Sequence, residues 1–200
     1  LAIGNRPPPL DADQGALLDL DGAPVDVSGL EGRPVWVVFW ATWCPPCQQE
    51  TPDLQRAYEA NLETGLELVA VNVQESTEVA QNYANTYGLT YRIALDPTGG
   101  AFRRWGVFGM PTHYFIGRDG RIDYVAFLAD NRLDAALSEA RTPAPAGAPP
   151  TLSSPPRTPP PAPAERSPDL SAVTLDGRTV RARDAGDARP TVFVFMSSWC

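Results

Sequence analysis

The sequence predicts an α/β fold: a mixed sheet with helices on both faces and an amino-terminal β-hairpin, followed by a proline-rich linker and a truncated second repeat. Three observations carry this. Residues 35–41 (VWVVFWA) are a short apolar run rich in valine and aromatics, the pattern of a strand buried on both faces. Directly behind it, Cys44-Pro45-Pro46-Cys47 opens a helical pattern. Residues 66–73 then alternate and run apolar as a second buried strand. Strand, helix and strand in that order imply a right-handed crossover and a parallel pair.

The elements follow in order. Residues 1–10, with prolines at 7–9, read as an irregular lead-in. Residues 17–20 and 25–27 flank Asp21-Gly22, a turn dipeptide, and make a small hairpin. Gly32-Arg33-Pro34 breaks into the central strand. Pro45 and Pro46 have the fixed φ of a first helical turn, where a missing N–H costs nothing, so Cys44 falls at or just before the helix start and Cys47 one turn in. Leu54, Ala57, Tyr58 and Leu62 continue that helix at its spacing, with Pro52 expected to kink it. Residues 77–87 form a helix ended by Gly88, and 101–105 a short one. After Gly109-Met110-Pro111-Thr112, residues 113–116 make a strand, 118–120 a tight turn and 122–127 the hairpin partner. Residues 133–140 are expected to close the domain as a helix.

Half of the 22 prolines fall in residues 143–168, among Ala, Ser and Thr with almost no large apolar side chain. Such a stretch cannot bury enough surface to offset ordering, so 142–168 reads as an extended linker and residues 1–141 as the first domain. Beyond it the chain repeats itself. Leu175-Asp176-Gly177 echoes Leu20-Asp21-Gly22, and residues 190–200 (PTVFVFMSSWC) match 34–44 (PVWVVFWATWC) position for position. Residues 169–200 therefore read as the start of a second domain of the same kind, too short to build an independent core. The net charge of −8 argues against nucleic acid or an anionic membrane as a partner held by charge. No apolar run approaches the roughly 20 residues that span a bilayer, so a membrane anchor would have to lie outside this segment.

The Cys44/Cys47 spacing is redox chemistry if the helix start is real. Unpaired N–H groups and the positive end of the helix dipole favour a thiolate at Cys44, the attacking sulfur, while Cys47, more buried, resolves the mixed disulfide. Both prolines remove N–H groups that could have stabilised that thiolate, so the pair is expected to be reducing rather than strongly oxidising. No cofactor or metal is needed beyond the dithiol. A structural zinc site wants about four ligands, and only Cys200 and His113 remain, both distant in sequence. A merely structural disulfide would close too short a loop to add much stability. Trp43 is expected to shield Cys44, and Trp36, Trp40, Trp105 and His113 to be structural.

The stretch WATWCPPCQQE, with LVAVNVQES, LDPTGGAFRRWGV and GMPTHYFIGRDGRI in that order, resembles the thioredoxin-like family and within it the TlpA/ResA-type extracytoplasmic thiol–disulfide oxidoreductases. The resemblance implies a cis peptide at Pro111 packed against the Cys pair, and backbone groups of Met110 and Pro111 that receive an extended peptide substrate beside Trp43, Pro45 and Pro46. It implies two carboxylates, Glu50 and Glu75, as acceptors for the Cys47 proton, because the strand position that carries a buried Asp in thioredoxins is Val38 here. It further implies a bacterial extracytoplasmic setting, protein disulfide substrates such as oxidised apocytochromes c, and electrons from a membrane thiol–disulfide donor. Two rivals remain. A Sco-type copper chaperone binds through C-x-x-x-C and a distal His, one residue longer than the spacing here. A thiol peroxidase would want a lone cysteine after a P-x-x-x-T pattern, which is absent.

Overall fold

The computed structural model describes residues 1–12, 15–27, 32–127, 171–173 and 179–181. They fall into two units divided between Pro160 and Pro161. In the first, eight strands make one sheet: β1 (Asp11–Ala12), β2 (Gly15–Asp19), β3 (Pro24–Val25), β4 (Val35–Trp40), β5 (Glu67–Val73), β6 (Arg92–Asp96), β7 (Thr112–Ile116) and β8 (Ile122–Phe127). Their order is β1-β2-β6-β5-β4-β7-β8, with β3 paired to β2. Among the described residues three α-helices accompany them, α1 (Pro45–Ala60), α2 (Thr77–Tyr87) and α3 (Gly100–Arg104), with one 3-10 turn at Leu62–Thr64.

Strand β4 is central, and all six of its residues are buried. It runs parallel to β5, with Trp40 opposite Asn72, and antiparallel to β7, with Val38 opposite His113. Side chains alternate across a strand, so β4 serves two cores at once. Trp36, Val38 and Trp40 pack with Leu54 and Tyr58 of α1, Ala84 of α2, and Phe115. Val35, Val37 and Phe39 pack on the other side with Ala101 of α3, Trp105, Tyr114 and Ile122. This two-sided burial is why the strand reads as an unbroken apolar run rather than an alternation.

Helix boundaries follow local chemistry. Ser76 caps α2 by accepting from the Val79 N–H at 3.3 Å, and Gly88 ends it in the left-handed conformation at φ 63°. Helix α1 runs through Pro52, which removes the bond that its position would make to the Gln48 carbonyl. The lead-in is irregular but pinned: the Gly4 N–H donates to the Ile122 carbonyl at 2.8 Å, the Ile122 N–H to that of Asn5 at 2.9 Å, and Leu10 is buried.

Strand β6, like the two-residue β1, is not legible in the sequence. Its five residues, RIALD, are too few to show a period, and its pairing is tertiary: parallel to β5 on one side, antiparallel to β2 on the other. It anchors the amino-terminal hairpin through a buried ion pair, in which Arg92 Nη1 donates to Asp19 Oδ2 at 2.9 Å. Asp19 Oδ1 meanwhile accepts from the Asp21 and Ala23 N–H groups in the hairpin turn.

In the second unit, β9 (Ser171–Val173) and β10 (Thr179–Arg181) pair antiparallel, Ala172 opposite Val180 and Val173 opposite Thr179. The first hairpin pairs Leu17 with Val25 and Leu18 with Pro24. Measured from the Leu-Asp-Gly of each copy, the two registers are the same. The expected helix at 133–140, the linker 142–168 and the repeated strand at 191–199 lie outside the described residues.

Candidate functional site

The site forms where β4 ends. Ala41, Thr42 and Trp43 lead to Cys44, which adopts an extended backbone (φ −85°, ψ 108°) and caps α1, with Pro45 and Pro46 in the first two helical positions. Neither proline has an N–H, so the first-turn donor to Cys44 is the Cys47 N–H, 3.3 Å from its Sγ. The two cysteines form a disulfide with their Cα atoms 5.2 Å apart. Exposure does not tell them apart: Cys44 is 4% and Cys47 3% exposed, so the expectation of a more open Cys44 is corrected. In the disulfide, Cys44 Sγ is bonded on one side and 3.5 Å from the Met110 carbonyl oxygen on another, which closes it off. What distinguishes Cys44 is its place at the cap, with an N–H aimed at its sulfur.

The Met110–Pro111 peptide is cis. Thr112 Oγ1 steadies the loop before it by donating to the Gly109 carbonyl at 2.7 Å. Pro111 is buried, Met110 and Pro46 half-buried, and Pro45 exposed. Trp43 is 62% exposed, which removes core packing as its role and leaves it beside Cys44 as an apolar surface. Two further aromatics border the loop and were not singled out in the sequence. Phe108, two residues before Met110, is 92% exposed, and Phe127, opposite Thr112 on β8, is 59% exposed. The Phe127 ring lies so close over Gly109 that a Cβ there would sit 3.0 Å from it. Phe108 adjoins that loop in the chain but falls in a stretch without pattern, while Phe127 reads as the end of a hairpin strand and only the fold brings it over Gly109.

The two carboxylates have different settings. Glu75 follows Gln74, whose left-handed φ of 56° turns the chain after β5. Its Oε2 accepts from the Thr42 N–H and from Asn72 Nδ2, both at 2.7 Å, and its Oε1 from the Thr42 hydroxyl at 2.5 Å. Gln48 Nε2 donates to the Thr42 carbonyl at 2.6 Å, so the residue two before Cys44 is held from both ends. Glu50 instead lies on α1, one turn beyond Cys47. Its Oε2 is 3.0 Å from His113 Nε2, while His113 Nδ1 accepts from Trp36 Nε1 at 3.2 Å. His113 is fully buried, and Val38 is its cross-strand neighbour. Thr51 extends the polar seam along α1, donating to the Cys47 carbonyl at 2.9 Å and meeting the Tyr83 hydroxyl at 2.9 Å. Burial pushes the Tyr83 phenol up from its ordinary value, against the pull of that hydrogen bond.

Among the described residues no group of three or more His, Cys, Asp or Glu could hold a metal ion, and no helix is long and apolar enough to cross a membrane. With both ring nitrogens engaged by Trp36 and Glu50, His113 has no lone pair turned toward the cysteines. The arrangement is a dithiol/disulfide at a helix start, beside a cis-proline loop, with a His113–Glu50 contact joining α1 to β7.

The chain is similar to several known proteins. The thiol-disulfide oxidoreductase ResA of Bacillus anthracis is 32% identical over 112 residues, 56% of this chain and 65% of that protein. ResA of Bacillus subtilis is 34% identical over 112 residues, 56% of this chain and 63% of that protein. The chain thus spans just under two thirds of the length of these relatives. Among solved structures, a thiol:disulfide interchange protein of the thioredoxin family from Chlorobium tepidum is similar with a TM-score of 0.58 and 26% identity, over 70% of this chain and 99% of that one. A secreted disulfide oxidoreductase of Mycobacterium tuberculosis is similar with a TM-score of 0.55 and 26% identity, over 64% and 98%. The sheet and its helices are thioredoxin-like, and a model of the AhpC/TSA family matches residues 3–125. That match takes in more than half of the chain, which belongs to the AhpC/TSA family.

Proposed function

We propose that this protein is a thiol–disulfide oxidoreductase that reduces disulfides of exported proteins through Cys44 and Cys47. The observation that carries the reading is Cys44 at the cap of α1, with the Cys47 N–H on its sulfur and Cys47 already within bonding distance. In the reduced state that N–H and the helix dipole favour the Cys44 thiolate. The thiolate attacks a substrate disulfide, forming a mixed disulfide and releasing the first substrate thiolate. Cys47 then loses its proton to a carboxylate and attacks Cys44 Sγ. The bond to substrate breaks, the second substrate sulfur leaves with the electron pair and takes up a proton, and the Cys44–Cys47 disulfide remains. An external dithiol reduces it again, and the family resemblance supports a membrane thiol–disulfide protein as that donor.

We assign proton acceptance to Glu50, which shares the Cys47 side of α1, and assign Glu75 to holding Thr42. Trp43, Pro45, Pro46, Met110 and Pro111 form the substrate surface, to which Phe108 and Phe127 add apolar area. A peptide strand laid along Met110 would meet its backbone groups and place a cysteine over Cys44. Relatives named ResA and a secreted neighbour support an extracytoplasmic location, with apocytochrome c among the substrates that the resemblance suggests. The common hairpin register supports reading residues 169–200 as a second copy after a domain at 1–141 and a linker at 142–168.

Trapping tests this. Cys47→Ser leaves the mixed disulfide unresolved, so it should retain exported proteins as reducible adducts in the cell, while the Cys44→Ser variant retains none. Equal recovery from both variants would overturn the assignment. An equilibrium copper titration separates the Sco-type rival, which requires tight stoichiometric binding that is lost in His113→Ala.

A further inference from the structure

We infer that Trp36 and His113 form a tautomer lock that fixes the Glu50 carboxylate for the resolving half of the exchange, which makes His113 a positioning residue. The indole N–H of Trp36 can only donate, and it lies 3.2 Å from His113 Nδ1. Nδ1 must therefore be the unprotonated nitrogen of a neutral imidazole. The ring's one proton then sits on Nε2, 3.0 Å from Glu50 Oε2, where it is donated to the carboxylate. Protonating Nδ1 as well would set one N–H against another in a site with no exposure to water. Free imidazole chooses between two tautomers, and here a tryptophan has chosen.

The fold makes this a matter of catalysis rather than packing alone. His113 projects from β7 to the side of the sheet on which both cysteines are buried. Glu50 lies three residues after Cys47 on α1, a spacing that sets side chains one above the other on a helix, with Cβ atoms about 5–6 Å apart. A carboxylate bonded to β7 through the fixed Nε2–H of His113 is kept from swinging out to solvent, although its side chain is 14% exposed. It stays on the inner side, where the Cys47 proton must leave. The inference rests on reading Glu50 as the acceptor of that proton.

The test separates the lock from the proposed activity. Nitrogen-15 shifts of the imidazole in the oxidised wild-type chain should show the Nε2–H tautomer at neutral pH. A protonated Nδ1, as the other tautomer or as imidazolium, overturns the lock whether or not the protein is an enzyme. In Trp36→Phe, which removes one donor and little volume, Nδ1–H should become populated. Catalysis is then split by step with an aromatic disulfide that releases a coloured thiolate at each half-reaction. His113→Leu should leave the first release unchanged and slow the second by about tenfold or more. His113→Gln, whose amide oxygen can accept from Trp36 and whose NH2 can donate to Glu50, should recover most of that loss. In a Glu50→Gln background, His113→Leu should add nothing. Equal slowing of both releases, or failure of Gln to rescue while Leu and Gln variants melt alike, would return His113 to a structural role. A wild-type chain that releases no thiolate would sink the proposed function and leave the tautomer result standing.

Discussion

Gln74 adopts a left-handed backbone, φ 56°, and that turn decides where the next side chain goes. It sends Glu75 back across the end of β5 to Thr42, where the carboxylate accepts two hydrogen bonds from Thr42 and one from Asn72. The sequence marks Glu75 as a site residue through family likeness. It does not show what the carboxylate touches, because Thr42 and Glu75 meet only when β4 and β5 pair. The contacts sort two variants. Glu75→Gln can still accept from the Thr42 N–H and Asn72 while its new NH2 faces the Thr42 hydroxyl, an oxygen able to accept; disulfide reduction at neutral pH should fall by less than about twofold. Glu75→Ala leaves the Thr42 N–H and Asn72 without their acceptor and should lower stability by about 1–3 kcal/mol in urea unfolding. A large loss of rate in Glu75→Gln with stability intact would make Glu75 the proton acceptor instead.

Helix α1 shows what a short motif can specify. Two prolines, a cysteine cap and apolar residues at Leu54 and Tyr58 fix its start and its inner face, and its observed beginning at Pro45 is the one that the sequence requires. The motif also sets how far the helix can activate Cys44. An N-cap side chain can accept from the N–H of the second or third helical residue, and Pro46 occupies the second. Pro46→Ala should restore a donor there, stabilise the reduced thiolate form and raise the redox potential by on the order of 30 mV, read by equilibration with glutathione. An unchanged or lower potential would mean that the added N–H does not reach the sulfur.

At the scale of the first unit, the sheet separates a layer that holds the cysteines, Trp36, Tyr58, Tyr83 and Tyr91 from a layer closed by α3. The buried tyrosines give the stability of that assembly a pH signature. Desolvation pushes Tyr58 up from 10.0 to about 12, and Tyr91, wholly buried, higher still. Below the ordinary tyrosine range, phenols are neutral in both folded and unfolded chains, and their contribution is fully present. As pH rises above 10.0, the unfolded chain gives up phenolic protons that Tyr58 keeps until about 12. The native state then binds more protons, so stability falls as pH rises. Urea midpoints should decline steadily through that alkaline window, and Tyr91→Phe should flatten the decline. A midpoint independent of pH there would mean that these phenols reach water in the native state.

Sequence by itself determined what is local: the buried strand, the proline-set helix start, the Gly88 end of α2, the turns at Asp21-Gly22 and 118–120, and the two thiols one helical turn apart. Each is dictated by residues within a few positions of one another. Tertiary structure alone decided β6, whose pairing partners are distant, and the aromatic border of Phe108 and Phe127. It alone decided the partners of Glu75 and Glu50 as well. His113 is the plainest case, since one imidazole in a strand says nothing until the fold sets a tryptophan's N–H on one nitrogen and a carboxylate on the other.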